Sequence, residues 1–388
     1  MPLLALAYLA FIGLGLPDPL PGTLWPEVAP AYGLPNAALG LVLAGLSIGY
    51  IVAGLLAGRI IAVLGIGGVL AASVGATAAA ALGQATAPPF PIFVALALLA
   101  GLGGGAVDAA LNAYSARHFA PRHLSWLHAC WGIGATLGPA AAAILLARGA
   151  TWQAAYAAVG ATLGLLMLAF LVSRRRWDDA ATVEAGVHVT ALSALRRPVV
   201  RLQMVIFFVY CGLESGAGQW AATVLGARGA TAAEGALAAT LFWAGLAGAR
   251  IALGFVVDRI GPDRLLRLAM APLVLGAALF VSGVADMVAL GVMAAMLAPV
   301  YPTMMALTPA RLGPHAVHAI GFQVASAMAG VAVLPGLMGV AADLFGPGVV
   351  PAVCLVLALQ LAGLILRLPR LALHPRGDAP SPGRREAG

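Results

Sequence analysis

GLLAGRIIAVLG (Gly54–Gly65) and GFVVDRIG (Gly254–Gly261) begin 200 residues apart and share one pattern: a glycine, a few residues, then Arg-Ile. Each copy ends a long apolar stretch, and another apolar stretch follows it. A brief polar interruption between stretches of about 20 apolar residues is what a turn between two membrane-crossing helices needs. Its return halfway along the chain implies an internal duplication. Other pairs keep nearly the same offset: Asp18 with Glu214 at 196, and Trp25 with Trp220 at 195. Gly138-Pro139 likewise has a counterpart in Pro335-Gly336.

Reading outward, twelve apolar spans follow: 3–25, 37–64, 67–86, 90–117, 124–147 and 152–173, then 199–225, 232–257, 265–284, 287–309, 316–340 and 348–367. The expected fold is an all-α membrane protein with twelve transmembrane helices in two pseudo-symmetric six-helix halves. The halves are 1–173 and 198–370, with a linker over 174–197 and a disordered tail over 371–388. The first span has no charged leader and no cleavage site, so it reads as a retained helix. Of the 388 residues, 62% are hydrophobic and only 9% charged, which excludes an ordinary soluble domain. Mean hydropathy is +0.99.

The net charge of +7 comes entirely from arginine on the basic side, since the chain has no lysine. With the spans above, 18 of the 21 basic residues fall on one face. The positive-inside rule then places both termini and the linker in the cytoplasm, in the cytoplasmic membrane. That account replaces nucleic acid as the partner of the positive charge. Cys130, Cys211 and Cys354 lie in apolar spans without metal spacing and read as small buried residues. There is no Walker A sequence, metal-ligand cluster or nucleophile motif, so neither a cofactor, a metal nor an enzymatic reaction is expected.

Three acids interrupt the apolar spans: Asp18, Asp108 and Glu214. An acid at the centre of a membrane helix costs roughly 2.5–3.5 kcal/mol on insertion scales, so its presence points to proton handling, polar binding or helix registration. Asp108 is the leading candidate. Asn112 lies one turn later on the same face, and Gly101, Gly104 and Gly105 let a neighbouring helix approach closely. His128 joins the proton-coupling candidates because imidazole titrates near neutral pH. Arg250, inside span 8, either pairs with Glu214 or reaches for the interface.

Aromatic and amide side chains within the spans are candidates for solute contact: Trp131, Tyr210, Trp220, Trp243 and Tyr301 for stacking, and Asn112, Gln219, Thr303 and Gln323 for hydrogen bonds. Trp25, Trp152 and Trp177 read as belt residues at the membrane interface. The expectation is that Asn112, Gln219, Trp220, Tyr301 and Gln323 face a central space between the halves.

Gly254, Asp258, Arg259, Gly261 and Arg264 form the pattern G-x-x-x-D-R-x-G-x-x-R, which resembles the loop signature of the major facilitator superfamily. The resemblance implies a conformational latch at Gly254, Asp258, Arg259, Arg264 and Arg59. The N-terminal copy has Gly58 where the family usually has Asp. GLGLPDPLPGTLWPEV (Gly13–Val28), GLGGGAVDAALNAY (Gly101–Tyr114), WLHACWGIGATLGP (Trp126–Pro139) and APVYPTMMALTPARLG (Ala298–Gly313) together resemble the fucose–proton symporter family and its bacterial relatives. In that family an acid in span 1 and one in span 4 serve proton coupling and sugar recognition, which implies those roles for Asp18 and Asp108. The spacing around Asp18 departs from the family, and the span 4 acid there is usually Glu. The implied function is proton-coupled transport of a small polar solute, a sugar first, by a monomer in the lipid bilayer. A proton-antiport exporter of drugs or metabolites and a non-transporting solute sensor are the competing readings.

Overall fold

A computed structural model of the chain describes residues 3–119, 121–177, 191–253 and 255–368. The centre of the linker, Gly254, the tail 371–388 and the side chains of Arg117, Arg122 and Asp258 lie outside the described residues. The helices are α1 (Leu3–Gly15), α2 (Leu20–Thr23), α3 (Trp25–Tyr32), α4 (Leu39–Ala85), α5 (Phe90–His118), α6 (Pro121–Ala147), α7 (Trp152–Ser173) and α8 (Ala191–Leu195). The second half contributes α9 (Pro198–Ala227), α10 (Ala232–Leu253), α11 (Val257–Ile260), α12 (Pro262–Ser282), α13 (Asp286–Leu297), α14 (Val300–Leu312), α15 (Ala316–Phe345) and α16 (Val350–Leu366).

Eleven spans among the described residues are long and apolar enough to cross a bilayer, and one of them, Asn36–Ala85, is 50 residues long. That is more than twice the length a crossing needs. It divides at Gly65, whose φ of 67° and ψ of 166° leave the helix and which only glycine adopts without strain. Twelve crossings result. Gly261, with φ 84°, makes the equivalent turn in the second half at an offset of 196.

Two expected spans are broken rather than continuous. Span 1 stops at Gly15 and resumes at Leu20, with Asp18 in the gap. Pro17, Pro19 and Pro21 cannot donate to the helical ladder, so the first strong local preference there is to leave it. Span 10 divides into α13 and α14 just before Pro299 for the same reason.

We call the end of the bundle where α1 begins and α16 ends the terminal face, and the other the distal face. In the first half α4 packs on α5 and α7, and α1 on α6; in the second α9 packs on α15, α10 and α16. The halves meet through α6 with α10, α4 with α15, and α2 with α9. Trp152 opens the span Trp152–Arg176 and Trp177 directly follows it, and both rings are buried. Trp152 lies among Tyr32, Phe93 and Tyr156, and Trp177 among Tyr114 and Phe170, so each packs its ring against neighbouring aromatics. Trp25 is buried as well.

Candidate functional site

Asp108 lies on α5 opposite Tyr50 of α4. The Tyr50 hydroxyl donates to Asp108 Oδ2 at 2.6 Å, and Asn112 Nδ2 donates to Oδ1 at 2.8 Å. Backbone packing sets this geometry. A methyl group on Gly105 would stand 2.4 Å from the Tyr50 carbonyl oxygen, and one on Gly101 2.0 Å from that of Leu46. Without side chains at these glycines, α4 and α5 come close enough for a tyrosine to reach the acid. Tyr50 was not among the residues singled out from the sequence. The signal available was a lone phenol in an otherwise apolar span, between Gly49 and Gly54.

Asp18 sits in the proline-rich gap of span 1. Trp131 Nε1 of α6 donates to its Oδ2 at 2.8 Å. The guanidinium of Arg250, from the other half, lies 5.7 Å from the centre of the Trp131 ring. Trp243 meets the same indole edge-on, with centroids 5.8 Å apart. One indole thus touches an acid of one half through its N–H and a cation of the other through its face.

Arg250 of α10 reaches toward Glu214 and Tyr210 of α9. Its Nη2 lies 3.0 Å from Glu214 Oε2 and 3.1 Å from the Tyr210 hydroxyl, and Tyr210 donates to Glu214. Tyr301 packs near Tyr210, with centroids 6.4 Å apart. Among the described residues, the buried Arg250 Nε and Trp243 Nε1 have no acceptor, so two donors remain available here. His128 packs edge-on against Phe11 at 5.4 Å and is within electrostatic reach of both Asp108 and Arg250.

The structure therefore gathers Asp18, Asp108, Asn112, His128, Trp131, Tyr210, Glu214, Trp243, Arg250 and Tyr301 around the boundary between the halves. Three expected solute contacts lie elsewhere. Trp220 is fully buried and donates to the Pro335 carbonyl at 3.0 Å. Gln323 is sealed inside the second half with Gln203 and Thr308, at 2.9 Å from each. Thr303 is buried within α14. For Trp220 and Gln323 a polar group in the bilayer is satisfied by a neighbouring helix rather than by open space.

Gln219 also departs from a solute-facing role. Its Nε2 donates to the Asp18 carbonyl at 2.9 Å, and its Oε1 accepts from the Gly22 N–H at 2.7 Å. Broken helices bare backbone groups that a membrane cannot hydrate, and this one amide serves one of each kind. Toward the distal face, Gln219, Trp220 and Thr223 of α9 are buried. Toward the terminal face Asn112 and Arg250 are only partly buried and His128 is exposed.

In the loop after α10, Gly254 and the Asp258 side chain are outside the described residues. The ion pair formed beside this loop joins Arg311 of α14 to Asp263 of α12, an acid the latch pattern does not include.

A family model described as Major Facilitator Superfamily matches residues 3–281. No curated protein matches the chain. Among solved structures, the nucleoside transporter NupG superposes with a TM-score of 0.74 at 14% identity, covering 96% of this chain and 100% of that one. A bacterial homologue of the human lysosomal transporter Spinster, inward-facing and occupied, gives 0.72 at 12% identity, covering 94% of each chain. FucP in its outward conformation gives 0.62 at 17% identity, covering 94% of this chain and 99% of that one. At these identities the likeness speaks for the fold. With a matching family model over most of its length and the twelve-crossing architecture, the chain belongs to the major facilitator superfamily of membrane transporters.

Proposed function

We propose that this chain carries a small polar solute, a hydroxylated ring compound first, across the cytoplasmic membrane in exchange for the energy of a proton gradient. The reading rests on one observation above all. Two acids of the first half, Asp18 and Asp108, stand beside an Arg250–Glu214 pair of the second, with Trp131 between them. A ligand or proton drives alternation only through different affinity for the two conformations, and groups shared across the boundary are those whose surroundings change on rocking. Trp131 and Trp243 supply ring faces; Asp18, Asn112 and the spare donors of Arg250 and Trp243 supply hydrogen bonds. FucP, described as a fucose:proton symporter of E. coli, and NupG, a nucleoside transporter, both handle ring compounds bearing hydroxyls. Asp108 is the proton-coupling group, with Asp18, Glu214 and His128 beside it. The rocking bodies are 1–173 and 198–370 in a monomer with both termini cytoplasmic, and Arg59, Arg259 and Arg264 act at the loops with Gly254 and Asp258.

The test is Asp108→Asn in proteoliposomes, using whichever sugar or nucleoside most stabilises the purified protein against heat. Accumulation driven by a proton gradient is expected to vanish while counterflow exchange persists. Accumulation at the wild-type rate and with the wild-type pH profile would remove Asp108 from coupling.

A further inference from the structure

We propose that Asp343, at the end of α15, is a clasp that holds the distal face shut and biases the resting protein toward the conformation open at the terminal face. The inference rests on the alternating-access reading above. The segment that opens span 2, Asn36–Ala38 leading into α4, is preceded by Pro35 and has no side-chain cap of its own. The first N–H groups of a helix lack intrahelical acceptors and carry a partial positive charge. Here the first two are taken by one carboxylate from the other half: Asn36 N–H donates to Asp343 Oδ1 at 2.7 Å, and Ala37 N–H to Oδ2 at 2.8 Å. A cap is usually part of its own helix and survives any rigid-body motion. This one exists only while the halves touch.

The surrounding contact is built for close approach. A methyl group on Gly339 would stand 2.9 Å from the Ala37 Cα, and one on Gly40 2.8 Å from the Gly336 Cα. Helices meeting backbone to backbone cannot part at this end without lifting the carboxylate off its two donors. The other end of the same span has no matching acid. Position 58 is glycine with open space around it, and the next residue, Arg59, is exposed. An acid closes the distal side, and none of α4 closes the terminal side. The balance between the two conformations is therefore tilted.

The experiment measures both ends by double electron–electron resonance on the full chain in lipid nanodiscs, with the three native cysteines replaced. One spin-label pair is Ala31→Cys with Phe345→Cys at the distal face, and the other is Arg59→Cys with Phe255→Cys at the terminal face; all four positions are exposed. Losing a helix cap costs about 1 kcal/mol. Asp343→Ala should therefore lower the ratio of short to long distal separations about fivefold, with Asp343→Asn between it and the parent because one acceptor oxygen remains. The terminal pair should shorten in the same fraction of molecules. Asp343 is itself exposed, so loss of folding is not expected, and gel filtration checks it. Distal distributions of Asp343→Ala identical to the parent's would overturn the clasp. A distal pair that lengthens while the terminal pair stays fixed would leave the clasp standing and remove the alternating-access reading instead.

Discussion

Asp108 has both carboxylate oxygens engaged, one by a residue on its own helix and one by a phenol from the next. The first partner is visible in the sequence, since Asn112 follows at helical spacing. The second is not, because which residue of span 2 faces span 4 depends on how two glycine-lined helices settle. Tyr50→Phe keeps the ring and removes the donor. A hydrogen bond to a charged group contributes about 1.5–3 kcal/mol, so proton-driven accumulation should fall at least tenfold with solute binding kept within twofold. Uptake and binding measured side by side decide it; an unchanged uptake rate would make the hydroxyl a bystander. Glu214 and Arg250 test the other half. Removing one member of a buried ion pair costs about 3–5 kcal/mol because the survivor is left unpaired, and the slight exposure of this pair places the expected loss near 3. Glu214→Gln should lower the thermal unfolding temperature, and adding Arg250→Gln should restore most of it. A double variant less stable than either single one would mean the pair does more than neutralise itself. Trp220 and Gln323 show the limit of residue-type reasoning. A polar or aromatic side chain inside a membrane needs a partner, but nothing in its identity says whether a helix or a solute provides one.

The spans themselves were legible, since apolar length and arginine spacing are set by the bilayer and survive any detail of packing. Their interruptions were harder. The prolines at 17, 19 and 21 were visible, yet a proline in a membrane helix is tolerated when neighbours re-satisfy the backbone, and that neighbour lies 200 residues away. Gln219 is the residue concerned. Gln219→Leu should strip the acceptor from Gly22 N–H and the donor from the Asp18 carbonyl. Each buried unsatisfied group costs about 1–3 kcal/mol, so a marked fall in the unfolding temperature is expected, larger than for a leucine placed at half-buried Asn112. Equal stability of the two variants would show that the broken helix finds other partners. Asp343 escaped notice for a related reason: an acid at a helix end near the membrane surface looks like any solvated charge until the helix it caps is seen.

At the scale of the whole molecule, the duplication read from Gly54 and Gly254 matches the two-half architecture, and the arginine distribution predicts its orientation. A reporter fused after Gly388 and another within 174–197 should both register in the cytoplasm; an external signal from either would break the alternation on which the span count rests. Sites between the halves were approached from sequence only as a list of residue types. Their assembly depends on contacts between segments 100–200 positions apart, and a single sequence carries no record of those. The glycine seams have a separate consequence. Where α4 meets α15 across the two halves, the touching surfaces are largely main chain, so this contact shares almost no side chains with the proposed solute contacts. Trp131, Trp243 and Asn112 can change without disturbing the seams, and the seams can be kept while those residues drift. A lineage carrying this scaffold is thus free to exchange one cargo for another by a few substitutions, without relearning how to move.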